Sequence, residues 1–134
     1  MAMSNTLTRL LGIEHPILLA AMDLVADARL TRAVSDAGGF GFLGGGYGDA
    51  AWLEHELRLL CAPRPEWPFG VGFITWSLVK RPELLDITLA ARPRAIWFSF
   101  GDFAPFVAPV KAAGAPVVAQ VQSVPMAHDA VAKG

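Results

Sequence analysis

Three features of the sequence predict an α/β fold built on parallel strands. Five short runs rich in branched and aromatic residues recur at 16–22, 40–45, 69–76, 95–101 and 116–123. They are nearly continuous in apolar character rather than alternating, as strands covered on both faces should be. Longer stretches with helical start and stop signals lie between them, and strand starts fall roughly 20–30 residues apart, the spacing of successive strand–helix units.

The first run is PILLAAM (16–22). Asp27 can cap the helix that follows, with Leu30, Ala33, Val34 and Ala37 on one face and Gly38-Gly39 as its stop. After FGFLGG (40–45), Asp49 can cap a helix striped by Leu53, Leu57 and Leu60, with Glu54 four residues before Arg58. FGVGFITW (69–76) leads to RPELLDITLAARP, where Pro82 suits the first turn. AIWFSFG (95–101) leads to FAPFVAPVKAAGA, whose Pro109 predicts a late start or a kink. PVVAQVQS (116–123) precedes a last helix in VPMAHDAVAKG. An open doubly wound sheet and an arc of a (β/α)8 barrel both fit this order.

Composition narrows the function. The 134 residues are 54% hydrophobic and 17% charged, with mean hydropathy +0.43. A net charge of −1 offers no footprint for nucleic acid or an acidic membrane. The single cysteine, Cys61, cannot form an internal disulfide, and its place at the end of an apolar helical run suits a core role better than a catalytic one. No signal-peptide pattern opens the chain and no apolar run is long enough to span a membrane, so a cytoplasmic protein is expected. No metal-ligand spacing or Ser/His/Asp arrangement is evident.

Residues 39–44 spell G-x-G-x-x-G, the pattern of a dinucleotide-binding turn. That turn must follow a strand and open a helix, whereas here the glycines follow a helix and FGFL is itself the strand. The alternative is that Gly38-Gly39 stop a helix while Gly44, Gly45 and Gly46 let backbone come close to something at the strand's end. Small residues recur at strand ends: AAM on the first, GGG on the second, Gly72 within the third and Gly101 after the fourth. Barrels bind ligands at the C-terminal ends of their strands, and four such ends argue for a planar cofactor lying across them.

These segments resemble the nitronate monooxygenase (2-nitropropane dioxygenase-like) family of FMN-dependent TIM barrels. HPILLAAM is similar to the family's opening strand, and LTRAVSDAGGFGFLGGG to its most specific block. FGVGFITW, AIWFSFG and PVVAQVQSVPMAHDAVAKG follow in family order. The resemblance implies a partial (β/α)8 barrel of about the first five βα units, with residues 1–134 the N-terminal part of one FMN-binding domain. It places Ala20, Ala21 and Met22 beneath the flavin, with Ala21 standing where a proline is usual. Gly72 would offer only backbone where relatives often carry an asparagine, and Gln120 would reach the ring's edge. A core glutamine bonded to neighbouring strands is the other reading of Gln120, with Gln122 able to exchange roles.

The same resemblance puts the family's catalytic histidine and phosphate-binding loops beyond Gly134, so no catalytic residue is assigned and the chain alone is expected to be inactive. His15 stands at the wrong end of its strand, while His55 and His128 are expected on solvated helix faces. Asp23 and Asp102 follow strands at the correct end, where they either touch substrate or serve as turn and cap residues. The expected activity is oxidation of an alkyl nitronate or nitroalkane by O2, with a homo-oligomer compatible. The alternatives are a flavin-dependent enoyl reductase, or a non-catalytic half-barrel that pairs through its open edges.

Overall fold

The computed structural model describes residues 4–62 and 67–134. One sheet holds four strands: β1 (Gly41–Gly44), β2 (Phe69–Ile74), β3 (Ala95–Ser99) and β4 (Val117–Ala119). Helices α1 (Thr6–Leu11) and α2 (Ala28–Asp36) precede β1, and α3 (Ala50–Cys61) follows it. After β2 come a single turn, α4 (Thr75–Leu78), and then α5 (Glu83–Ala90); α6 (Ala104–Ala112) follows β3 and α7 (Val124–Lys133) follows β4. Strands lie in chain order and every neighbouring pair is parallel. A doubly wound sheet would reverse its order at a switch point, whereas a (β/α)8 barrel adds each strand beside the last. The fold is α/β, an arc of such a barrel.

One expected strand is not a strand. The 16–22 run meets β1 at a single parallel bridge, Leu18 to Phe40. Two hydrogen bonds flank it, Leu19 N–H to the Phe40 carbonyl and Phe40 N–H to the Ile17 carbonyl, each 2.9 Å. Pairing then stops, because Met22 N–H turns back to the Ala20 carbonyl (3.0 Å) and Leu24 takes a left-handed φ of 58°. The chain curls over the sheet's end instead of running beside it. The other strands end earlier than expected for similar reasons. Thr75 begins α4, Phe100 flips to φ 59°, and β4 has a neighbour on one side only.

Helix caps follow the sequence closely. Asp27 and Asp49 accept from Leu30 N–H (2.8 Å) and Trp52 N–H (3.0 Å) as expected. The sequence reading passed over α1, although its signal is present. Asn5 and Thr8 cap one another reciprocally, backbone N–H to side-chain oxygen, at 2.9 Å each way. Helix α6 starts at Ala104 and runs through Pro109, so the expected late start is not observed.

The buried face of α2 also differs. Ala28 and Thr31 are buried, while Ala33 and Ala37 are exposed and Leu30 and Val34 half-buried. A Cβ on Gly41 would sit on the Thr31 carbonyl, so this glycine is what lets α2 press against β1. Ser35 seals the contact, accepting from Gly41 N–H (3.0 Å) and donating to the Pro68 carbonyl (2.9 Å).

The sheet separates two apolar layers. On its outer side Leu43, Val71, Phe73, Ile96 and Phe98 pack under Leu53, Leu57 and Leu60 of α3, Leu84 and Leu85 of α5, and Phe106 and Val110 of α6. On its inner side Phe40, Phe42 and Ala95 gather with Leu11 of α1 and the half-buried Leu18, Ala21, Trp97 and Val118.

Candidate active site

Period-two alternation decides what points inward. Register pairs Gly44 with Gly72, Gly72 with Trp97, and Trp97 with Val118, so these four form one inward-facing level. The next level toward the strands' C-terminal ends carries Ile74, Ser99 and Gln120, all half-buried. The small residues at these ends admit the chain's own backbone first. A Cβ on Gly72 would overlap the Ala21 methyl, and one on Gly44 would overlap the Met22 carbonyl. The Ala20–Asp23 segment therefore lies directly across the strand ends, with Ala20 exposed and Met22 40% exposed above it.

The residues singled out from the sequence are thus brought together in part. Ala20, Ala21, Met22 and Gly72 share one end of the sheet. Gln120 stands two strands away from Gly72, at the end of β4, and lines a small cavity of about 120 Å³ with Gly101, Gln122 and Lys133. Its backbone N–H bonds the Phe98 carbonyl (2.9 Å), while no hydrogen bond to its side-chain amide occurs among the described residues. Gln122 is exposed.

Trp97 is the inward residue that the sequence reading did not single out. Alternation within AIWFSF, which sets Ala95, Trp97 and Ser99 on one face, was the available signal. Its ring meets Phe42 edge-on at 5.2 Å and 86°, and its indole N–H is buried without an acceptor. A buried donor left unpaired costs about 1–3 kcal/mol, and the hydroxyls of Thr31, Thr75 and Thr88 and the Arg32 Nε are left in the same state. A flat heteroaromatic ring with acceptor atoms along its edge fits the residues at the strand ends. The Ala20–Met22 shelf offers one low face and the Gln120 amide offers donor and acceptor.

The remaining titratable candidates divide cleanly. Asp102 acts as a turn residue, accepting from Ala104 N–H (3.1 Å) and Lys133 Nζ (3.0 Å). The Ala104 N–H first, and then Lys133, hold its carboxyl below the usual value. Asp23 is different: burial, with a further push from the Asp49 charge, raises its carboxyl despite a hydrogen bond from its own turn. Cys61 is half-buried against the outer core and burial raises its thiol, which leaves it a poor nucleophile. His15, His55 and His128 are all exposed. Glu56 is buried and accepts from Ala28 N–H (2.7 Å), capping α2 from α3. Among the described residues no group of side chains could hold a metal ion, and no helix is long and apolar enough to cross a membrane.

Sequence and structure comparisons agree with this geometry. The family model for nitronate monooxygenase matches residues 4–97. A Mycobacterium tuberculosis protein named (3aS,4S,5R,7aS)-5-hydroxy-7a-methyl-1-oxo-octahydro-1H-indene-4-carboxyl-CoA dehydrogenase is 29% identical over all of this chain and 37% of its own length. The nitronate monooxygenase of Pseudomonas aeruginosa is 30% identical, covering 74% of this chain and 38% of its own. The structure of FabK from Thermotoga maritima superposes with a TM-score of 0.87 at 28% identity, over 98% of this chain and 42% of that one. The chain therefore spans roughly two fifths of the length of these three proteins, and the named relatives are oxidoreductases. With a family match across the edge segment, β1, β2 and most of β3, the chain belongs to the nitronate monooxygenase family.

Proposed function

We propose that the chain forms the N-terminal part of an FMN-dependent oxidoreductase that oxidises alkyl nitronates with O2. The observation that carries this reading is the shelf of Ala20–Met22 laid over Gly44 and Gly72, with an unpaired indole N–H on the same inward level. When bound, FMN supplies the electron transfer between nitronate and oxygen. The chain's own residues position and orient. Met22 and the Ala20–Ala21 backbone would support one face and the Gln120 amide would bond an edge, with Trp97, braced by Phe42, packed on the level below. The outer core packs beneath these strand ends.

None of the three histidines stands at the C-terminal strand ends, and the chain spans about two fifths of its named relatives, so we assign the proton-accepting group to the part of the family's barrel that these residues do not form. The 134 residues alone should turn over nothing. The test is oxygen uptake with ethylnitronate by the protein that joins this chain to the segment carrying that base. Uptake stoichiometric with nitronate loss supports the reading; no uptake by an FMN-loaded protein overturns it. A second reading, a flavin-dependent reductase or dehydrogenase acting on a thioester, is favoured by the Mycobacterium tuberculosis relative that matches the whole chain. NAD(P)H consumption with an enoyl thioester, and none with nitronate, would select it.

A further inference from the structure

Exposed large apolar side chains crowd the C-terminal rim: among the described residues, all but Leu10, Ile17, Leu59 and Val131 end the edge segment or follow it or a strand at that end. One sector of the rim is hollowed into a cavity of about 300 Å³, lined by Asp23, Leu24, Gly45, Tyr47, Asp49 and Trp52 among others. That is room for about ten water molecules, at the lower end of ligand-pocket sizes.

Three observations say what it would hold. Its floor joins the proposed flavin platform, because Gly45 follows Gly44 and donates its N–H to the Gly72 carbonyl at 2.6 Å. Beside its two carboxylates, its walls are Leu24, Tyr47 and Trp52, and Tyr47, 65% exposed, leans on Trp76 outside the cavity at 5.8 Å. Leu24 holds a left-handed φ of 58° while leaving its side chain 67% exposed. A bulky residue kept in strained backbone and yet unburied is the pattern of a ligand clamp rather than of packing. The two carboxylates set the charge, since Asp23 and Asp49 both line the cavity and would repel an anion.

The geometry points to a side pocket that receives the neutral, ring-sized apolar group of the substrate, whose reacting carbon lies over the platform beyond Gly45. What the pocket is for rests on the flavin reading above; that it binds such a group does not. Short nitroalkanes leave it unfilled, so aryl- or cycloalkyl-substituted substrates are selected over nitroethane.

The experiment titrates the chain with 2-phenylnitroethane and with nitroethane, both neutral at mildly acidic pH. Binding is followed by tryptophan emission, with and without FMN. The phenyl compound is expected to bind about tenfold more tightly or better, as filling an apolar pocket requires. Leu24→Gly and Tyr47→Ala should each remove most of that preference and leave the weak nitroethane binding unchanged. Leu24→Gly should melt no lower than the parent, which separates lost wall from lost fold. Equal affinities for the two probes, or a preference that survives both variants, overturns the pocket. Phenyl-selective binding by a chain that takes up no FMN keeps the pocket and overturns the flavin reading; FMN uptake with equal probe affinities does the reverse.

Discussion

The two ends of the strands are built to opposite rules. At the N-terminal end Leu11, Phe40 and Ala95 are fully buried, Gly12 caps α1, and Arg94 donates to the Leu11 carbonyl at 3.1 Å. Most apolar atoms there face one another, although Ile17 is 60% exposed and Arg92, before β3, holds a left-handed φ of 54°. At the C-terminal end Leu24, Tyr47, Trp76 and Phe100 are about half exposed or more, two of them in left-handed backbone, and the Trp97 N–H below has no acceptor. Natural sequences place such local conflicts where function requires them. The contrast supports the proposal that the C-terminal end recognises a ligand while the other end supplies stability, as barrels generally do.

Substitutions can break that division or sharpen it. The largest effect is expected from Phe42→Ala, which empties a fully buried site between Phe40 at 4.9 Å and Trp97 at 5.2 Å. A loss of about 3–5 kcal/mol by denaturant unfolding is expected; a loss under about 1 kcal/mol would mean that the inner layer is not a packed core. Glu56→Ala strips the α2 N-terminus of its buried acceptor and should cost about 1–3 kcal/mol, with Glu56→Gln recovering much of it. If Gln fares as badly as Ala, the negative charge rather than the hydrogen bond is what matters.

The rim should behave in the opposite way. Leu24→Gly removes a left-handed leucine and is expected to raise stability by about 1 kcal/mol in thermal unfolding. A fall instead would show that the leucine is packed rather than presented. The smallest effect is electrostatic. Burial raises the Asp23 carboxyl, so folding favours its protonated form. That contribution is present below the ordinary value of 3.8 and is lost as pH rises through the higher folded value. Asp23→Asn should therefore flatten the decline in melting temperature across that window and leave the variant slightly more stable at neutral pH. An unchanged pH profile would contradict the burial of Asp23.

Much of this architecture was legible in the residues. The continuous apolar runs at 40–45, 69–76 and 95–101 became β1, β2 and β3, because strands covered on both faces leave no alternation to misread. Asp27 and Asp49 announced their helices through cap chemistry, which is local. What failed was non-local. PILLAAM has the composition of a strand but only one neighbour to pair with, and a turn at Met22 that no propensity marks. The α2 stripe misled because Gly41 admits a polar Thr31 and Ser35 face more closely than leucines could pack. The burial of Glu56 has no local mark, because its partner, the Ala28 N–H, lies 28 residues away.

The site was legible in composition and not in form. Glycines at the strand ends were visible, yet that Gly44 and Gly72 make room for the chain's own Ala21 and Met22 appears only in three dimensions. Left-handed Leu24 and Phe100 carry no sequence mark at all.

The central claim is that a flat ring rests on the C-terminal end of this sheet. Amide resonances of the isotope-labelled chain, followed while FMN is added, test it most directly. The account predicts shifts concentrated at Ala20–Met22, Gly44–Gly46, Gly72 and Gln120 and at the Trp97 indole N–H, with Leu11, Phe40 and Ala95 unmoved. Shifts at that opposite end, or none anywhere at saturating FMN, would contradict it.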